Sequence, residues 1–149
     1  MRTRHHRKEP RPGGAFFCVL VVALAALLLG AARPAPDAER IRRLLPGVWR
    51  ADQVQDTLTV RATSDYRRDG FVVYAGRVTG PGVDLSYRVR STWTVEGNAV
   101  VTRIVESDQP QMLPVGSLKR DTVVLLDGVR FRYRDEQGGE HEELRVPTP

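Results

Sequence analysis

The sequence predicts an all-β fold, an antiparallel up-and-down barrel preceded by one short helix and by an N-terminal hydrophobic export or anchor helix. Three observations carry this prediction. From Val83 to Val95, the apolar set Val83, Leu85, Tyr87, Val89, Trp93 and Val95 alternates with polar residues, and only Ser91 interrupts it. That period belongs to a strand with one wet and one buried face. Turn signals recur at short spacing, at Asp69-Gly70, Gly80-Pro81-Gly82, Glu96-Gly97-Asn98, Asp127-Gly128 and Gly138-Gly139, as a series of hairpins requires. After Gly47 no helical pattern is long enough to form the crossover that parallel strands need. A meander with one apolar face buries it by curling into a barrel.

In chain order, the first element is the run AFFCVLVVALAALLLGAA from Ala15 to Ala32, 18 residues without a charge. Arg2, Arg4, Arg7, Lys8 and Arg11 precede it. A basic flank, an apolar run and small residues at Gly30 and Ala32 are the parts of a secretory signal. The same run is also long enough to span a bilayer as an uncleaved anchor. Either way the basic flank stays in the cytoplasm. The expected organisation is therefore a cytoplasmic flank over 1–14, a signal or transmembrane segment over 15–32, a linker over 33–38 and a β domain over 39–149. The expected location is the cell envelope: a periplasmic or extracellular domain, anchored in the cytoplasmic membrane or released by cleavage.

The net charge of +5 does not indicate nucleic acid as a partner. Residues 1–14 carry five basic side chains against one acid, which leaves 18 basic and 17 acidic for the remainder. A binder of phosphate backbones concentrates positive charge on its folded surface. Cys18, the single cysteine, lies in the apolar run. The β domain therefore has no disulfide, thiolate ligand or thiol nucleophile.

Pro34 and Pro36 mark the linker, and Asp37 is placed to cap a short helix with Glu39 in its first turn and Arg42 and Arg43 near its end. Ile41, Leu44 and Leu45 form its apolar face, and Pro46-Gly47 stops it. Strands are expected over Val48–Ala51, Thr57–Thr63, Phe71–Val78, Val83–Val95, Ala99–Glu106, Thr122–Leu126, the alternating Val129-to-Tyr133 stretch and Glu140–Val146. The 109–117 stretch, with two prolines, is the longest irregular connection. Centring the last hairpin on Gln137-Gly138 pairs Val129 with Val146, Phe131 with Leu144 and Arg132 with Glu143, so apolar residues meet on one face and opposite charges on the other. Centring it on Gly138-Gly139 also keeps the faces apart.

Gly47-Val48-Trp49 after a short helix resembles the G-x-W element of lipocalins. Tyr66-Arg67-Arg68-Asp69-Gly70-Phe71 and Ser91-Thr92-Trp93-Thr94-Val95-Glu96-Gly97-Asn98 resemble two hairpins of small bacterial lipocalin-like (calycin-type) domains, and all three motifs stand in the expected order. The resemblance implies a barrel with Trp49 across its closed end and Arg145, near the last strand, lying over that ring. The exported part is shorter than a full lipocalin, which argues against a large ligand cavity.

Chemistry-bearing residues are sparse. His141 is the one histidine beyond the basic flank and sits among Glu140, Glu142 and Glu143. It lacks the second soft ligand or oriented nucleophile that a metal site or catalytic dyad needs, and reads as part of a solvated edge. No catalytic residue, metal or cofactor is assigned, and an enzyme is not expected. The arginines Arg88, Arg90, Arg130, Arg132 and Arg134 read as a barrel exterior neutralised by the Glu-rich strand beside them. Tyr74, Tyr87, Trp93, Phe131 and Tyr133 are the candidate ligand-binding residues; the same rings can fill a narrow barrel, and the short chain favours filling. Two functions follow: a membrane-attached or exported binding module for a small apolar ligand, or an envelope structural domain that meets another protein through a solid barrel. The export segment generates one prediction. A reporter fused after Pro149 is expected to be active outside the cytoplasm only, and cytoplasmic activity would overturn that topology.

Overall fold

The structure, a computed structural model, describes residues 34–147. The segment expected to direct export, residues 15–32, lies outside the described residues. Among the described residues no helix is long and apolar enough to cross a membrane. One helix, α1 (Ala38–Leu44), precedes eight strands: β1 (Gly47–Gln55), β2 (Leu58–Tyr66), β3 (Phe71–Gly80), β4 (Val83–Glu96), β5 (Ala99–Ser107), β6 (Leu118–Leu126), β7 (Arg130–Arg134) and β8 (Glu140–Arg145). Each strand pairs antiparallel with its sequence neighbour, and β8 returns to β1 to close the barrel.

Seven residues do not sustain a helix in water by themselves, so α1 depends on its ends and on the barrel. Asp37 Oδ1 accepts from the Arg40 backbone N–H at 2.8 Å, which satisfies one of the free donors at the start. Ile41 and the following Leu45 are fully buried. The carbonyls at the other end are taken up by the barrel. Trp49 Nε1 donates to Leu45 O at 2.8 Å, and Arg145 donates to Pro46 O at 3.0 Å and to Leu44 O. The Arg145 guanidinium also lies 4.1 Å from the centroid of the Trp49 ring, a cation–π contact. Gly47 makes this possible. Its φ is +136°, and a Cβ there would overlap Arg145 Nη1; glycine alone tolerates both conditions.

The closed end is solid. Trp49, Tyr66 and Phe131 pack as a ring cluster, with Phe131 5.7 Å from Trp49 and 6.2 Å from Tyr66. Val72, Val100, Val123 and Leu126 complete it.

Several strands run longer than their side-chain pattern indicates. β2 continues to Tyr66 because Ser64 to Tyr66 pair with Gly47 to Trp49 at the closed end. β1 continues to Gln55 because Asp52 to Gln55 pair with Leu58 to Arg61. β6 begins at Leu118 because Leu118 to Asp121 pair with Val100 to Arg103. Near the open rim both sheet faces touch water, so backbone pairing extends where alternation fades.

The last hairpin corrects the expected register. Phe131 faces Glu143, Tyr133 faces His141 and Arg134 faces Glu140, so neither expected loop centre is used. Asp135 sets the turn: its Oδ1 accepts from Gln137 N at 3.0 Å and Gly139 N at 2.7 Å, and Gly138 takes φ +86°. A slip of one residue exchanges the two faces of a strand. Leu144 is accordingly 45% exposed and Glu143 5% exposed.

Truncating a buried tryptophan costs about 3–5 kcal/mol. Trp49→Ala is expected to lose stability on that scale in denaturant unfolding, whereas Arg88→Ala, on the exterior, should change it by less than about 0.5 kcal/mol. Matching midpoints for Trp49→Ala and the parent would contradict the role given to the closed end.

Candidate functional site: an interior cup with a polar floor

Above the solid end, the inner face changes character. Ser64 from β2, Ser91 from β4, Thr102 from β5, Asp121 from β6 and Glu143 from β8 are all buried. They form a polar belt across the interior. Two of them, Ser91 and Thr102, also line a cavity of about 420 Å³, within the size range of small-molecule sites. Leu85, Tyr87, Val89 and Ile104 wall it, Met112 and Leu113 reach over it from the 108–117 connection, and Ser91, Thr102 and Lys119 belong to its lining. That connection is held in place by Gly116 N–H donating to Ile104 O at 2.8 Å and by Gln109 Nε2 donating to Ser86 O at 3.2 Å.

The belt is only partly satisfied from within. Tyr133 Oη donates to Glu143 Oε1 at 3.1 Å, and Lys119 Nζ lies 2.9 Å from Asp121 Oδ2. The other oxygens, Glu143 Oε2 and Asp121 Oδ1, are buried without a hydrogen-bonding partner among the described residues, as is Ser91 Oγ. Burial pushes the Glu143 carboxyl above the ordinary glutamate range, and the nearby Asp121 adds to the rise while Ser64, Tyr133 and Lys119 oppose it. Asp121 is raised too, first by burial and partly offset by Lys119. The buried tyrosines Tyr66, Tyr74 and Tyr133 are shifted upward chiefly by burial. Their hydroxyls therefore stay protonated as donors; Tyr66 and Tyr74 share a hydrogen bond of 3.0 Å.

The five aromatic candidates divide between two jobs. Tyr74 and Tyr87 line the cavity. A Cβ on Gly76 would come within 2.6 Å of the Tyr87 ring, so that ring lies against bare backbone and reaches inward because residue 76 has no side chain. Phe131 belongs to the closed-end cluster, and Tyr133 is buried on the polar belt. Trp93 is half-buried at the closed end, edge-on to Tyr66, with Nε1 donating to Arg67 O at 2.9 Å.

His141 is not on a solvated edge. The hairpin register turns it inward, where it stacks on Tyr133 at 5.2 Å and lies 2.7 Å from Asp135 Oδ2. Its Nδ1 is 3.4 Å from Gln53 Nε2 across the closing seam. Among the described residues no group of three or more His, Cys, Asp or Glu side chains is arranged to hold a metal ion. Four of the five exterior arginines find acidic neighbours: Arg90 with Glu106, Arg130 with Asp127, Arg132 with Glu140 and Glu142, and Arg134 with Glu140.

The sequence does not single out Ser91 and Lys119 as cavity residues, nor Asp121 and Glu143 as buried carboxyls. Ser91 carried a visible signal, as the single polar residue on the apolar phase of β4. Lys119 and Asp121 share the phase of the buried Val123, but on a strand whose start was placed too late. Glu143 was hidden by the register. No family model matches the chain, and no curated protein matches it. The fold and interior define the class of the molecule: a small closed antiparallel barrel, half solid and half hollow.

The raised carboxyl generates a pH prediction. Between the ordinary glutamate range and the higher value of folded Glu143, the folded state holds the proton that the unfolded state has lost. Stability then falls as pH rises through that window. Glu143→Gln keeps the shape without the charge. Its melting temperature should match the parent in acid and exceed it increasingly towards neutral pH. A pH-independent difference would show that Glu143 does not titrate this way.

Proposed function

We propose that the chain is a binding module that holds a small, mainly apolar molecule in the open half of the barrel. The observation that carries this reading is the cavity of about 420 Å³, walled by Leu85, Tyr87, Val89 and Ile104, with Ser91, Thr102 and Lys119 as placed polar groups. Apolar walls with a few placed polar groups are the usual composition of a ligand site. The helix, the Gly47-Val48-Trp49 start and the guanidinium of Arg145 over Trp49 resemble the closed end of lipocalins, which supports a lipocalin-like reading of the open end as well. On this reading the apolar run at residues 15–32 carries the domain into the cell envelope, either as a cleaved signal or as an anchor.

A second reading rests on a different observation. Val48, Val129, Leu144 and Val146 are exposed around the end of the β1–β8 seam, where Val146 N–H donates to Val48 O and Arg145 N–H to Val129 O, both at 2.8 Å. Such a patch suits contact with another envelope protein.

An uncharged apolar fluorophore, N-phenyl-1-naphthylamine, tests the first reading. Saturable one-to-one binding to the purified chain is expected, and Ile104→Trp, which fills the cavity, should abolish it while the far-ultraviolet circular dichroism stays the same. Absence of saturable binding, or binding indifferent to Ile104→Trp, would put the second reading first.

A further inference from the structure

We propose that the cup takes an uncharged apolar molecule bearing a hydrogen-bond acceptor, such as a ketone oxygen, and that the hydroxyl of Tyr87 donates to it. This rests on the binding reading and specifies its ligand. Tyr87 lines the cavity, and its ring lies over Gly76 on the paired strand, with Oη 2.6 Å from the place a Cβ at residue 76 would take. The oxygens sealed from solvent without a partner are Ser91 Oγ, Asp121 Oδ1 and Glu143 Oε2. Tyr87 Oη is not one of them, although no group among the described residues hydrogen-bonds to it, so it keeps accessible surface where the ring borders the cavity. The other hydroxyls on the strands around the cavity are engaged or closed off: Tyr74 is hydrogen-bonded to Tyr66 at 3.0 Å, and Ser91 and Thr102 are 1% and 4% exposed. A phenol O–H held against apolar walls without a partner is costly, and a ligand acceptor removes that cost.

Charge separates this ligand from the ionic amphiphiles. Lys119 is the one charged side chain in the cavity lining, and its Nζ is already 2.9 Å from Asp121 Oδ2. A ligand carboxylate would have to compete with Asp121 for that ammonium, and a ligand amine would meet it as a like charge. Either would enter apolar walls without a free counter-charge, which is the costly way to bury an ion. A neutral oxygen avoids both penalties. Tyr87 suits it as a donor, because burial first and the charge of Glu143 second raise its affinity for the proton. The hydroxyl therefore stays intact at neutral pH. Leu85, Val89 and Ile104 are left to cover the apolar part of the molecule.

Displacement of bound N-phenyl-1-naphthylamine from the full-length chain by 2-octanone, n-octylamine and sodium n-octanoate at neutral pH tests the assignment. The ketone is expected to displace the fluorophore at lower concentration than either ion. Infrared spectroscopy reads the hydrogen bond itself: the carbonyl stretch of bound 2-octanone should lie below its position in hexane. Tyr87→Phe keeps the ring and removes the oxygen. It should return the stretch to the hexane position and weaken the ketone about fivefold relative to the fluorophore, the scale of one neutral hydrogen bond. An ion that displaces as well as the ketone would overturn the inference and leave the binding reading standing, as would a carbonyl stretch that is the same in Tyr87→Phe and the parent. Failure of the fluorophore and of all three competitors to bind would remove the binding reading and this inference together. If Tyr87→Phe does not fold, the position of the stretch and the order of the three competitors on the parent chain still decide.

Discussion

Closure of the barrel depends on one lock, the stack of Arg145 on Trp49. The seam between β1 and β8 is the thinnest in the sheet, with Trp49 opposite Arg145 and Arg50 opposite Leu144, whereas β1 and β2 pair along their whole length. Backbone hydrogen bonds alone give that seam little hold. The two residues facing each other across it therefore do more than pair. Trp49 anchors the core and donates to Leu45 O, while Arg145 covers the ring and reaches the carbonyls of Leu44 and Pro46. The seam, the helix terminus and the floor of the core are satisfied by the same two side chains. Gly47 is the concession the backbone makes to that arrangement, since any side chain there would occupy the place of the guanidinium.

The lock also explains why the molecule is solid at one end and hollow at the other. Helix α1 and three large rings fill the closed end, and the side chains that follow upward are small or polar: Ser64, Ser91, Thr102 and the glycine at 76. A narrow barrel is filled by default when bulky residues meet across its axis. Here the bulk is spent at the bottom, and the short inner residues above it leave room that the 108–117 connection only partly covers. The polar belt marks the boundary between the halves. Its buried carboxyls cost stability that an apolar interior of the same shape would not.

Much of the architecture was legible from residues 37–147. The N-cap at Asp37, the helix stop at Pro46-Gly47 and the long alternation from Val83 to Val95 all report local preferences that the tertiary structure does not override. Repeated hairpin turns left an up-and-down order as the simplest topology, and the closed barrel follows it strand by strand. The motifs at Gly47 and Trp49 pointed to the closed end because a helix end, a glycine and a tryptophan stand together in the chain.

The sequence by itself determined most of the strand segments and their up-and-down order, because those properties depend on period and on neighbours along the chain. Tertiary structure decided which candidates meet at the site: Tyr74 and Tyr87 line the cavity, whereas Phe131 and Trp93 pack at the closed end. The final hairpin offered two registers with equal separation of faces, and the side chain of Asp135 selected a third by accepting backbone hydrogen bonds within the turn. That choice carried Glu143 inward, Leu144 outward and His141 from the edge to the rim. Asp121 joined Glu143 only because closure brings β6 and β8 around one interior, and Tyr87 reaches that interior only because Gly76, on the neighbouring strand, gives way to its ring. A one-residue register and contacts between distant strands leave no periodic trace in the chain, so the chemistry of the cup became visible only when the barrel closed.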